Sequence, residues 1–244
     1  MFGPGMLDYR SPHHSCVKAL RATIMWMEGK QDHITQLGRL SGRKQRLLAC
    51  ACVRRAERML PDPALLSAIE AAEAFADGGM GLGELEAVYH AASAVSAGLP
   101  EHSPECLAAW AATRTTTHPQ YCNRPFDGQE TRHLSQIVTE ALFPGRNPFD
   151  QRVADVRQVE ADAHQRLLED IGQLAVAFNP SWRTEAVVGL ARGMYESRDF
   201  APMPVLADAL EDAGCDQPDI LAHCRGDRPH VRGCWVVDLV LGKE

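Results

Sequence analysis

Apolar residues recur at three- and four-residue intervals along most of the chain, the spacing that lines one face of an α-helix. In "SGRKQRLLACACVRRAERMLP", Ser41 offers an N-cap and Pro61 a stop, while Leu48, Cys52, Ala56 and Met59 or Leu60 form an apolar stripe. Arg43, Arg46, Arg54 and Arg58 fall largely on the other side, which predicts an amphipathic helix with a basic outer face. "PALLSAIEAAEAFADGG" and "GELEAVYHAASAVSAGLP" read as two further helices joined by the glycine cluster at 78–83, followed by "SPECLAAWAATRTT". Fifteen alanines lie between Ala64 and Ala112. Alanine has the highest helix propensity and its short side chain lets helices approach closely, so this middle should be a compact antiparallel array.

After a loop at 118–128, "QETRHLSQIVTEALFPG" predicts a helix. A longer one follows from Gln151, with Val153, Val156, Val159 or Ala163, Leu167 and Ile171 on one stripe. Shorter helices are expected over 184–196, in "MPVLADALEDAGC" and in "QPDILAHCRG". "PHVRGCWVVDLVLGK" is ambiguous because valine runs favour strands; Pro229 ahead of it and Lys243 near its end favour a helix. No strand–turn–strand pattern and no fixed-period repeat occurs. The expected fold is all-α, a compact multi-helix array with an alanine-rich middle. "FPGRNPFD" suggests a seam between residues 1–145 and residues 146–244.

Composition adds limits. Hydrophobic residues make up 45% and charged residues 23%, which argues against wholesale disorder. A net charge of −7 speaks against non-specific attraction to nucleic acid or anionic membranes. No apolar run approaches the ~20 residues of a membrane span, and the first residues lack a secretory layout, so a cytoplasmic location is expected. Eight scattered cysteines fit buried thiols in a reducing compartment.

"MPVLADALEDAGCDQPDILAHCRGDRPHVRGCWVVDLVLGKE" resembles the closing segment of a large set of uncharacterised bacterial paralogues, sometimes linked to a repeat-companion domain. "RKQRLLACACVRRAERML" and "NPSWRTEAVVGLARGMYESRDF" are similar to earlier segments of the same proteins. The resemblance covers about half the chain and implies a shared fold; it brings no activity, cofactor or catalytic residue.

The densest candidate chemistry is "HCRGDRPHVRGCW". A helix beginning near Pro229 would place His230 and Cys234 on one face, with His223 or Cys224 across the turn and Cys215 as a further candidate. That set suits zinc in its ligand types, but its spacing matches no compact zinc pattern, and a packed turn anchored by Trp235 explains the stretch more simply. Cys50 and Cys52 are two apart, so on a helix they point ~200° away from each other and cannot share a metal. Glu130 and His133 form a Glu-x-x-His unit of the di-iron type, with His164 as a possible third ligand, but no second unit occurs. "GGMGLGE" lacks the lysine and the preceding strand of a phosphate loop.

These readings favour a non-enzymatic helical interaction or scaffold module without a cofactor, meeting a protein partner through Arg54, Arg55 and Arg58. The rival is a metal-binding helical protein, possibly an enzyme, using His223, Cys224, His230 and Cys234 or Glu130, His133 and His164. A thiol redox sensor is the third; it requires an exposed cysteine of lowered pKa. Trp182, Tyr195 and Trp235 are expected to anchor the core of the C-terminal half.

Overall fold

The Ser41 hydroxyl accepts a hydrogen bond from the Lys44 N–H and starts helix α1, Gly42–Arg54. The computed structural model describes residues 39–117, 128–143, 151–172 and 176–243. All regular structure among these residues is helical. α1 is followed by a 3-10 turn, Glu57–Met59, and by α2 (Pro63–Ala76), α3 (Leu82–Ala97), α4 (Pro104–Thr115), α5 (Gly128–Leu142) and α6 (Gln151–Ile171). The remainder comprises α7 (Glu185–Ser197), α8 (Met203–Asp212), α9 (Pro218–Arg225) and α10 (Trp235–Leu241). The helix expected over 42–60 thus breaks after Arg54.

α1 runs through the middle of the N-terminal helices. Ala49, Cys50 and Val53 enter a cluster built with alanines of α2 and α4 and with Leu134, Ile137 and Val138 of α5. Leu47, Leu48 and Cys52 enter a second cluster with Leu167, Leu168 and Ile171 of α6. Cys50 and Cys52 therefore serve opposite faces. The expected basic outer face does not exist over most of this helix, because Lys44 and Arg46 are each only 5% exposed. Surrounded by helices, these cations turn to internal acceptors. Arg46 donates to the carbonyls of Thr115 and Thr117 at the end of α4, where helical C=O groups lack partners, and its guanidinium covers the Phe75 ring.

α2, α3 and α4 form the alanine-rich array. Asp62 and Ser103 cap α2 and α4 from the residue before each opening proline. The small alanine side chains leave room for a close approach, and Ala68, Ala72, Ala92, Ala108 and Ala112 are completely buried.

The C-terminal helices close over a separate apolar cluster that contains Trp182, Tyr195 and Trp235, together with Val187, Met194, Leu206, Leu210 and Ile220. The valine-rich end is helical, but α10 begins at Trp235 and not near Pro229. Gly233, at φ +92°, and a hydrogen bond from the Cys234 N–H to the Val231 carbonyl hold residues 231–234 in a turn. α6 lies beyond the seam expected at 145 yet packs on α1.

Buried and half-buried carboxylates join the C-terminal helices to α1 and α2. Arg43 and Lys44 of α1 reach Asp238 of α10 at 2.7 and 2.5 Å. Asp77, the C-cap of α2, accepts from Arg43 and from the Tyr195 hydroxyl. Glu73 of α2 accepts from Arg54, Arg198 and Arg232.

Candidate metal site at the C-terminal turn

Three pieces of chain deliver four ligand-type side chains to one point. α6 ends its apolar stripe with Asp170, between Leu167 and Ile171; α9 supplies His223 from its last turn; the turn before α10 supplies His230 and Cys234. One ligand atom from each lies within 4.8 Å of all the others. Among the described residues, this is the group of three or more His, Cys, Asp or Glu side chains with such convergence.

His230 Nδ1 stands 2.6 Å from Asp170 Oδ1 and 3.8 Å from Cys234 Sγ. His223 Nε2 is 3.2 Å from the same Asp170 oxygen and 3.2 Å from Cys234 Sγ. The other Asp170 oxygen accepts from the Val231 N–H at 2.9 Å, which orients the carboxylate. The Trp235 indole N–H donates to His223 Nδ1 at 2.9 Å. An indole nitrogen can only donate, so His223 Nδ1 carries the lone pair and the neutral ring holds its proton on Nε2, facing Asp170 and Cys234. His230 Nε2 is buried without a hydrogen-bond partner.

Burial shapes the charges. It would raise the Asp170 carboxyl, but hydrogen bonds from His223 and His230 outweigh it and hold the group below the usual carboxylate range. Burial lowers His223 despite the opposing pull of Asp170. Burial, reinforced by Asp170, pushes the Cys234 thiol well up. A buried thiol of raised pKa is a poor nucleophile. Moreover, each imidazole turns the same nitrogen toward both thiol and carboxylate, so no thiol–imidazole–carboxylate relay across opposite ring edges is formed. The donor set of one oxygen, two nitrogens and one sulfur suits a metal ion instead.

Of the four ligands the sequence suggested, the structure brings together His223, His230 and Cys234. Cys224 is replaced by Asp170, because one residue further along α9 the side chain points into the apolar cluster with Ile220 and Cys215, where burial pushes the thiol up to about 12. The proximity of His230 and Cys234 comes from a turn and not from a shared helix face. The second suggested set does not assemble: Glu130 pairs with Arg114, His133 meets the edge of Trp110, and His164 bonds Ser135.

All six described cysteines are buried, and where their pKa shifts are resolved they rise, opposite to what a reactive thiolate requires. Of the arginines suggested for a partner, Arg54 is bound to Glu73 and Glu57, Arg55 is half-buried and Arg58 is exposed.

A cleft of about 750 Å³ opens beside the cluster between the start of α1, the end of α6 and α9. His223 and Trp235 form part of its wall, and Arg39, Glu169, Asp219 and Arg228 add charges of both signs. Among the described residues no helix is long and apolar enough to cross a membrane. Comparison with protein-family models, with curated proteins and with solved structures gives no match to this chain.

Proposed function

We propose that this chain is a non-enzymatic, cytoplasmic helical module that holds one zinc ion within the cluster of Asp170, His223, His230 and Cys234 and offers its surface to a protein partner. The convergence of four buried ligand-type side chains from three separate segments carries this reading. Burying a carboxylate, two imidazoles and a thiol together is unfavourable unless they are paired, and a divalent cation bound among them offsets that cost. The mixed O, N and S donor set favours zinc over magnesium or calcium, which take oxygen ligands. Kinship with the bacterial paralogues that share its ending belongs to the same proposal.

One observation favours a second reading, a metal-free hydrogen-bonded latch. The Trp235–His223 bond sets the His223 tautomer with the proton where an ion would sit. Magnitudes decide between them. Leaving a buried N–H unpaired costs about 1–3 kcal/mol, whereas structural zinc contributes an apparent ~10–16 kcal/mol in zinc-finger peptides at neutral pH. The bond to Trp235 is too weak to keep an ion out of the cluster, whichever of the four side chains bind it.

Elemental mass spectrometry of the protein purified without chelator tests the proposal. Near one zinc per chain, with a lower melting temperature after chelation, supports the ion. A protein free of metal, whose melting temperature does not respond to added zinc, supports the latch.

A further inference from the structure

Building on the metal reading, we infer that His223 is not a direct ligand: the ion takes Asp170, His230 and Cys234 from the protein, and its fourth position belongs to water or a small anion. The inference starts from Trp235. Its indole is 1% exposed and fixed in the largest apolar cluster of the C-terminal half, so it cannot easily turn away from His223. A histidine that binds zinc through Nε2 carries its proton on Nδ1 and usually donates it to an oxygen. Here Nδ1 instead faces another N–H donor at 2.9 Å. Ligation by His223 would bury two N–H groups against each other. Ligation by His230 through Nδ1 leaves its Nε2 proton buried without a partner, a smaller cost than two N–H groups pressed against each other.

The remaining geometry fits this division. His230 Nδ1 and one Asp170 oxygen already lie together, and Cys234 stands 3.8 Å from the same nitrogen. On binding, the Cys234 thiol gives up one proton to solvent, and the His230 ring proton moves from Nδ1 to Nε2. His223 keeps its Nε2 proton and donates it to the Asp170 carboxylate or the Cys234 thiolate, stabilising the negative charge of whichever accepts it. It thereby acts as a positioning residue. Zinc with three protein ligands keeps an open place for a fourth. His223 is one wall residue of the neighbouring cleft, whose lining carries Arg39 and Arg228 together with Glu169 and Asp219.

Cobalt(II) substitution of the full chain tests this, because cobalt's visible spectrum reports both the thiolate bond and the coordination number. The wild type should show a thiolate-to-cobalt band, and thiocyanate or azide should shift its d–d bands. Cys234→Ser and His230→Gln should weaken cobalt binding at least 100-fold. His223→Gln, whose amide can still donate, should stay within about tenfold of wild type. Trp235→Phe frees Nδ1 to hold the proton, so His223 can enter the fourth position; the cobalt spectrum should then stop responding to thiocyanate. Equal losses in His223→Gln and Cys234→Ser, or an anion-insensitive wild-type spectrum, would overturn the inference while leaving the metal reading intact. Absence of any thiolate–cobalt band in the wild type would overturn both.

Discussion

Replacing Glu73 with glutamine isolates the contact that ties α2 to the C-terminal helices. Glu73 is 2% exposed and accepts hydrogen bonds from Arg54, Arg198 and Arg232. Glutamine keeps the shape, removes the charge and turns one acceptor into a donor facing guanidinium groups. Removing one partner of a buried ion pair typically costs about 3–5 kcal/mol. The three arginine side chains keep between 17% and 30% of their exposure, and Glu57 and Glu70 remain beside Arg54 and Arg198. Water and those carboxylates therefore absorb part of the freed charge, and the lower end, about 3 kcal/mol, is expected. For a chain of this size each kcal/mol lowers Tm by ~2–4 °C, which gives a fall of roughly 6–12 °C. Urea unfolding at low salt and in about 1 M salt, where the Debye length shrinks to ~3 Å, is the assay. Because Glu73 is buried, most of the loss should persist in high salt. A loss below about 1 kcal/mol, or one that salt abolishes, would refute the description of Glu73 as a desolvated hub.

Trp235→Ala should destabilise by about 3–5 kcal/mol, since it empties a fully buried aromatic site and strands His223 Nδ1; an unchanged denaturation midpoint would contradict this. Gly233→Ala meets two obstacles, a φ of +92° and a Cβ that would lie 3.0 Å from Leu47 Cδ1, so a loss of about 2–3 kcal/mol is expected. Differential scanning calorimetry reads it directly. His133 is lowered below its usual 6.5, by burial first and by Arg114 in addition, against the pull of Glu130. A depressed histidine favours the neutral form when folded, so its contribution is present above pH ~6.5 and declines as pH falls through 6.5 toward the folded value. An NMR titration of His133 with its midpoint at or above 6.5 would contradict that sign.

Local chemistry made the helices legible. Ser41 announces a helix start by a side-chain oxygen placed ahead of an apolar period and is a cap in the structure, and Asp62, Ser103 and Thr184 cap their helices in the same way. The position of α1 was not legible. Its arginines read as a solvated face because their acceptors lie far along the chain, Thr115 and Thr117 for Arg46 and Asp238 for Arg43. Periodicity reports which side chains are apolar but not which polar ones find distant partners. The site divides in the same way. His223, His230 and Cys234 crowd within one short stretch and invited notice, whereas Asp170 belongs to another helix, 60 residues before His230. Its one local sign was a carboxylate set in the apolar stripe of α6, between Leu167 and Ile171. Such a group must be matched by a partner from elsewhere, and that sign is available without a structure.

The ion pair between Arg43 and Asp238 also sets a timetable for biosynthesis. Its partners are 195 residues apart. At ~5–20 residues per second, Asp238 is translated roughly 10–40 s after Arg43. Throughout that interval the nascent helix α1 has its Arg43 and Lys44 charges without their α10 counter-ion, and cannot settle into its final dry surroundings. The contact between α1 and α10 therefore closes late, after Asp238 is translated, whereas Arg43 meets Asp77 of α2 only 34 residues on.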